Sequence, residues 1–320
     1  MSQISSAVTS HGAGDINLDH IAAATHTIDP AFLNSPQYVD EFLSAHLGRR
    51  VLVKVETVNP LRSFKGRGAD YLVSTLPADV TVVCASGGGN WGQAVAYAAR
   101  RRGLRSDVFV PAHMSPVKAH RMRAFGATVH VVDGDLHAAA SSFTTATAGR
   151  VLVTDGGHPA AAEGAGTIGV ELLAAEPFDT VIVPVGDGAL ITGIARWLKD
   201  HAPNIQIIGV GSVDAPALVE SWRTGDVVTA VPRSTFAAGI SITRPHPEAV
   251  RRTQALVDDM VLVDNDDIVA AMHAVHETLG VLAEPAGVAG IAALTRHDIP
   301  GATVATVITG ANIDPGREAG

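Results

Sequence analysis

Only four lysines occur in this chain of 320 residues, and one of them, Lys65, ends the run Asn59-Pro60-Leu61-Arg62-Ser63-Phe64. It is followed by Gly66-Arg67-Gly68-Ala69. A lysine in a turn rich in Ser, Pro and Gly is placed for amine chemistry. Its ammonium loses a proton when partly desolvated, and the free amine attacks an aldehyde to form a Schiff base. Arginine cannot do this, because it stays protonated. The alternative reading of Lys65 is a surface lysine near a helix start, where lysines are commonly exposed.

Two glycine-rich segments offer a second kind of chemistry. Ser86-Gly87-Gly88-Gly89-Asn90 and Gly186-Asp187-Gly188-Ala189-Leu190 each follow a β-branched run and precede a helical stretch. Small residues there let backbone N–H groups converge on an anion, and the helix dipole adds to the attraction. A tight strand-to-helix turn also favours glycine, so each segment alone leaves both readings open. A dinucleotide site would want an acidic residue at the end of the next strand. The runs 107–110 and 205–210 lead into Pro111-Ala112 and Gly211-Ser212, which argues against NAD.

The elements that must position these segments alternate in the manner of an α/β protein with parallel sheets. Residues 80–84, 107–110, 128–132 and 151–154 read as strands, separated by helices over 91–102, 116–125 and 137–147. That block is compact enough to form a lobe of its own. The alternation resumes with strands at 180–185, 205–210 and 303–308 and helices at 190–201, 266–279 and 287–295. Residues 226–247 carry little periodicity and read as a substrate-facing or mobile loop.

Bulk properties narrow the class. The hydrophobic share is 47%, the charged share 17% and the formal net charge −9. Extensive disorder is not expected, and a nucleic-acid surface would need a basic patch that is absent here. The 14 histidines are dispersed, without a metal-site spacing. The single cysteine, Cys84, lies in an apolar run and reads as a buried thiol, in keeping with a reducing cytoplasm. No apolar stretch is long enough to span a membrane, and the N-terminus lacks the order of a signal peptide. Residues 1–15 read as a loose arm, and no regulatory domain is expected after the last strand.

The motifs together resemble a known family. Lys54-x-Glu56, Asn59-Pro60 and Ser63-Phe64-Lys65-x-Arg67-Gly68-Ala69 closely resemble the lysine motif of fold-type II pyridoxal-phosphate enzymes. The nearest subgroup is the threonine and serine dehydratases with serine racemase. The resemblance continues, in the family's order, through Gly89-Asn90-x-Gly92-Gln93-Ala94, Gly164-Ala165-Gly166-Thr167 and Pro184-Val185-Gly186. It ends with Glu284-Pro285-x-Gly287 and Thr309-Gly310-x-Asn312. What it implies is a fold like the tryptophan synthase β-chain, with two three-layer αβα lobes. The large pyridoxal-phosphate domain would comprise 16–81 and 153–320, and the small domain 82–152.

The resemblance also implies roles. Lys65 would bind pyridoxal 5'-phosphate as a Schiff base and later act as base at the substrate Cα. Phe64 would lie beside the ring, Asn90 would bond its 3-hydroxyl oxygen, and Thr309 would pair with its nitrogen. Gly186, Asp187, Gly188, Ala189 and Leu190 would cradle the phosphate. Ser86, Gly87, Gly88, Gly89 and Asn90 would receive the substrate carboxylate, with Glu284 near the ring. Ser234 to Gly239 would line the side-chain end of the pocket. The implied reaction is β-elimination of an L-3-hydroxyamino acid such as threonine or serine to a 2-oxo acid and ammonia. A β- or γ-replacement synthase on an activated amino acid is the alternative, and a non-catalytic cofactor-binding relative a third. A cytoplasmic homo-oligomer, a dimer, with a small amino-acid substrate is expected.

Three departures modify this. Gly88 stands where serine racemase carries a second serine, which disfavours a two-base racemase. Gly211 and Ala217 stand at the family's cation-site acids, so no metal is expected; the nearby Asp214 reads as a solvated turn residue. Asp187 interrupts the phosphate turn and is expected to turn away and cap the following helix. Trp91, where the family often has His, reads as a pocket or core aromatic.

Overall fold

The structure, a computed structural model, describes residues 14–313. The arm expected over 1–15 therefore lies outside the described residues, apart from Gly14 and Asp15. Asp15 is held by the buried guanidinium of Arg252, whose Nε donates at 3.0 Å.

Two sheets organise the chain. The larger has six strands: β1 (Gln37–Val39), β2 (Arg50–Val55), β7 (Thr180–Pro184), β8 (Gln206–Ser212), β9 (Asp259–Val263) and β10 (Thr303–Ile308). Their order is β1-β2-β10-β7-β8-β9, parallel throughout except for the antiparallel β1–β2 pair. The smaller is formed by β3 (Thr81–Ala85), β4 (Arg105–Pro111), β5 (Thr128–Val132) and β6 (Arg150–Leu152) in the order β5-β4-β3-β6, all parallel. Parallel strands need helical crossovers, and these cover both sheets.

Helices α4 (Asn90–Arg101), α5 (Pro116–Ala124) and α6 (Leu136–Thr145) belong to the smaller sheet. Around the larger lie α1 (Leu18–Thr27), α2 (Glu41–Leu47), α3 (Lys65–Ser74), α7 (Pro159–Leu173) and α8 (Ala189–His201). They are joined by α9 (Ala217–Thr224), α10 (Pro247–Leu256), α11 (Asn265–Leu279) and α12 (Ala289–Arg296). The α/β class and the parallel sheets agree with the sequence reading, and strands 128–132 and 303–308 fall where it put them. Helices α1, α2, α3, α7, α9 and α10 and strands β1, β2 and β9 were not foreseen, apart from the alternative reading of Lys65 near a helix start. Cys84 is fully buried in β3, and burial pushes its thiol far above the usual range.

Three helices approach at backbone distance behind the lysine turn. A Cβ added at Gly68 would lie 2.5 Å from the Ala161 carbonyl oxygen, one at Gly164 2.5 Å from that of Arg67, and one at Gly193 2.0 Å from that of Ala162. The glycines of α3, α7 and α8 are therefore packing requirements. They bring Arg67, fully buried, onto a pair of carboxylates. Its Nε and Nη2 donate to Glu56 at 3.0 and 2.8 Å, and Nη1 and Nη2 donate to Glu171 at 2.6 and 2.9 Å. Thr167 Oγ1 accepts a further bond at 3.0 Å. Lys54, also fully buried, pairs with Glu171 at 2.7 Å and donates to the Ser35 carbonyl at 3.0 Å. Two cations and two anions thus close one network behind Lys65.

Removing one member leaves a buried charge without its partner. Arg67→Ala is expected to lower unfolding free energy by about 3–5 kcal/mol. Urea denaturation of the two proteins measures this, and a loss below about 1 kcal/mol would show that the network is not buried as described.

Candidate active site

Lys65 opens α3, and the turn before it is built by Asn59. The Asn59 amide Nδ2 donates to the Glu56 carbonyl at 2.9 Å, while Oδ1 accepts from the N–H groups of Leu61 and Ser63 at 3.0 and 3.3 Å. Arg62 takes a left-handed backbone, φ 51°, to complete the bend. The turn is stitched to the segment after β10. Phe64 N–H donates to the Thr309 carbonyl at 3.0 Å, and Ala311 N–H to the Arg62 carbonyl at 2.9 Å. The Lys65 side chain then runs into a cavity of about 810 Å³, with Nζ 4.6 Å from the centre of the Phe64 ring. Its ammonium pairs with the Asp155 carboxylate, which is almost fully buried.

Both glycine turns reach the same cavity from the C-terminal ends of strands, the position where open α/β sheets take ligands. The first joins β3 to α4. Gly89, with φ +93°, is the N-cap of α4, and Ser86 Oγ accepts from the Gly92 N–H at 3.0 Å. The second joins β7 to α8. Gly188, with φ +89°, is the N-cap of α8, and no side chain caps that helix. The expectation that Asp187 caps α8 is therefore overturned. Asp187 lies instead at the cavity wall beside Asp155, where burial first, and then the Asp155 charge, push its carboxyl above the usual aspartate range. Lys65 and His137 pull in the opposite direction.

A polar network fixes the opposite wall. Asn90 Nδ2 donates to Glu284 Oε1 at 2.7 Å, and its Oδ1 accepts from Asn312 Nδ2 at 2.9 Å. The Asn312 backbone N–H donates to Glu284 Oε2 at 2.9 Å, and Arg121 Nη1 donates to Asn312 Oδ1 at 2.6 Å. Burial pushes the Glu284 carboxyl up, against the pull of Lys118, Asn312, Asn90 and Lys65. Gly310 must lack a side chain, because an added Cβ would stand 2.6 Å from Glu284 Oε1.

Every residue singled out in the sequence as cofactor- or substrate-binding lines this one cavity. Phe64, Lys65, Ser86, Gly87, Gly88, Gly89 and Asn90 do so, as do Gly186, Asp187, Gly188, Ala189, Leu190, Gly239, Glu284 and Thr309. Trp91 joins them, as do Thr235, Phe236 and Ala238 of the expected side-chain end, but not Ser234 or Ala237. The loop over 226–247 runs along the wall and contains the short 3₁₀ turn Ala238–Ile240.

Sequence reading missed Asp155, Lys118, His137 and His246, which also line the cavity. Asp155 had a signal: it follows a predicted strand directly, the slot occupied by both glycine turns. The histidines had none. At the family's cation site, Gly211 packs on Val219 and Ala217 is buried. Asp214 is less solvated than expected, accepting from Asn265 Nδ2 at 2.9 Å and pairing with Arg233. Among the described residues no group of three or more His, Cys, Asp or Glu side chains is arranged to hold a metal.

Comparison with known proteins agrees with this geometry. A family profile described as "Pyridoxal-phosphate dependent enzyme" matches residues 29–310. The biosynthetic L-threonine dehydratase of Pasteurella multocida is 34% identical over 281 residues, 85% of this chain and 55% of that protein. The chain thus spans about half the length of the first curated relatives it matches. The L-threonine ammonia-lyase of Thermotoga maritima is 32% identical over 307 residues, 93% of this chain and 76% of that protein. Among solved structures, a threonine deaminase from T.th. superposes with a TM-score of 0.86 at 28% identity, covering 93% of this chain and 99% of that one. Maize serine racemase gives the same score at 28% identity, covering 95% of each. The lysine turn, the two glycine turns and these matches together show that the chain belongs to the pyridoxal-phosphate-dependent enzymes of fold type II.

Proposed function

We propose that the protein eliminates the β-hydroxyl of an L-3-hydroxyamino acid, threonine or serine, releasing a 2-oxo acid and ammonia. The observation that carries this reading is the convergence on one cavity of a partly buried lysine amine and two helix N-termini whose N-cap is a left-handed glycine. The relatives' names supply the substrate class.

The residues fit a pyridoxal phosphate. An uncapped helix start presents N–H groups that have no partner within the helix, and the turn over 186–190 offers them to a phosphate. A Cβ at Gly186 would fall 2.3 Å from the Gly239 carbonyl oxygen, so the turn is bare of side chains on that side. An ionised Asp187 would repel a phosphate there. Burial and the Asp155 charge raise its proton affinity, which weakens that repulsion. Thr309 would offer its hydroxyl to the ring nitrogen, Asn90 its amide to the ring hydroxyl, and Phe64 its face to the ring edge. When bound, the cofactor supplies a sink for the charge left at Cα once the proton has gone.

The chain's own side chains do the rest. The turn over 86–90 receives the substrate carboxylate at the start of α4, where Ser86 Oγ keeps a hydrogen to donate while accepting from Gly92. The Lys65 amine, which lines the same cavity, would take the Cα proton as general base. Gly88 offers no titratable group on the other face, which supports one-base elimination over racemisation. Gly239 sits against Ala286, where an added Cβ would lie 2.9 Å from the alanine methyl, so a side chain at 239 would not fit there. We further infer a homodimer in the cytoplasm. The exposed Tyr38, Phe42, Val58 and Leu282 and the buried reduced Cys84 support that setting.

Lys65→Ala is expected to abolish both the visible absorbance of lysine-bound cofactor and turnover. In the wild type, L-threonine or L-serine should yield 2-oxo acid and ammonia continuously. An enzyme that releases product only when a thiol nucleophile is added would instead be a replacement synthase.

Asp187 gives a pH test. Its carboxyl binds a proton more tightly folded than unfolded, so its contribution to stability is full below the ordinary value of 3.8 and is lost as pH rises through the folded value. Asp187→Asn should therefore gain stability over wild type progressively as pH is raised above 3.8. Urea midpoints in phosphate-free buffer measure this, and a difference that does not change with pH would refute it.

A further inference from the structure

Asp155 is used by none of the roles above, yet among the described residues it makes the direct side-chain hydrogen bond to the reactive amine. We propose that Asp155 is a positioning residue for Lys65, its carboxylate holding the ε-amine against the wall shared with the phosphate turn. The proposal rests on the reading of Lys65 as the cofactor-binding amine.

The frame that presents this carboxylate is rigid. Asp155 lies in the crossing from β6 to α7, between the two sheets. Val153 N–H donates to the Val83 carbonyl at 2.8 Å, which continues the β3–β6 ladder up to the crossing. Just beyond it, Arg252 Nη1 and Nη2 donate to the carbonyls of Gly156 and Gly157 at 3.0 and 3.2 Å. Arg252 is itself buried and held by Asp15. On the cavity side, a Cβ added at Gly156 would stand 2.1 Å from the Asp187 carbonyl oxygen. The crossing is therefore pressed against the phosphate turn with no room for a side chain between them. A buried carboxylate needs a partner, and among the described residues the Lys65 amine is the one Asp155 has.

The physical effect is on the lysine arm. Lysine's flexible stem carries rotamer entropy, and fixing the nitrogen in advance removes that cost from each approach to the reacting carbon. Phe64 bounds the arm on the other side, 4.6 Å from Nζ. When the amine has taken the Cα proton it is a cation. The Asp155 carboxylate then receives it as a charge-assisted hydrogen bond, away from the substrate. The other charged groups facing this pair are Asp187 beside Asp155, with His137 behind it, and Glu284 across the cavity. Their influence on the amine acts through space, whereas Asp155 bonds it directly.

Two measurements on Asp155→Ala and Asp155→Asn test this. In the full chain without cofactor, an amine released from its carboxylate reacts faster with an acylating reagent. Mass spectrometry should show Lys65 acylation rising about tenfold in Asp155→Ala relative to Lys199, which pairs with Asp258 and serves as the internal reference. In the loaded enzyme, kcat should fall by about 10²-fold with KM changed less than about threefold. Asp155→Asn, whose amide oxygen still accepts from Nζ, should recover part of both effects. If Asp155→Ala does not fold, the Asn variant alone decides, with smaller shifts in the same directions. Wild-type Lys65 reactivity and kcat in both variants would overturn the proposal even where melting temperature drops. A wild-type protein that never develops lysine-bound absorbance would instead sink the reading beneath it.

Discussion

Arg67 directs its guanidinium into two carboxylates that come from separate segments at the larger sheet's edge, Glu56 after β2 and Glu171 in α7. A guanidinium without exposure is tolerated only where its planar fork finds acceptors along more than one edge. The arrangement therefore fixes three segments at once: the start of α3, the end of β2 and the length of α7. Lys54 adds its ammonium to Glu171 and closes the circle. Lys65 lies two residues before Arg67 on the same helix, so the direction in which its side chain leaves the backbone is set by this buried cluster. The glycines at 68, 164 and 193 serve the same end by letting α3, α7 and α8 touch backbone to backbone.

A consequence is that a family motif read from sequence carries two kinds of information. Lys65, Asn90 and the two glycine turns border the cavity. Lys54, Glu56, Arg67, Gly164 and Thr167, which belong to the same motifs, hold the cluster behind it. Their residue types are dictated by burial and hydrogen bonding, and their link to chemistry runs through position.

The parts legible in sequence were those whose signal is local. Strands β5 and β10 are β-branched runs interrupted only by His130 and Ala305, and both glycine turns announce themselves by composition. Strand β2 was missed because the buried Lys54 sits within it, and a charge there reads as a surface residue unless its distant partner Glu171 is known. Helix α7 was missed for the opposite reason. It is buried nearly all round and carries glycines at 164, 166 and 169, so neither an amphipathic period nor helix propensity marks it. Asp187 was misread because a favoured capping residue next to a helix start is the local expectation. Burial in the cavity wall decides its behaviour first, and the neighbour that adds to it, Asp155, arrives from the other sheet. The cavity-lining histidines fail in the same way, since nothing near them in sequence points to a common wall.

The charges around Lys65 show how one lysine can be kept in a buried wall. Three carboxyl groups approach it: Asp155, Asp187 and Glu284. Were all three ionised, the centre would carry a strong excess of negative charge, and a phosphate would be turned away. Burial pushes both Asp187 and Glu284 toward the protonated form. Asp155 is the carboxyl group that bonds the Lys65 amine directly. The glycine turns then add partial positive charge from the starts of α4 and α8 without adding a titratable group. Lys118 also lines the cavity, so an anionic ligand would meet a side-chain cation beside these backbone dipoles.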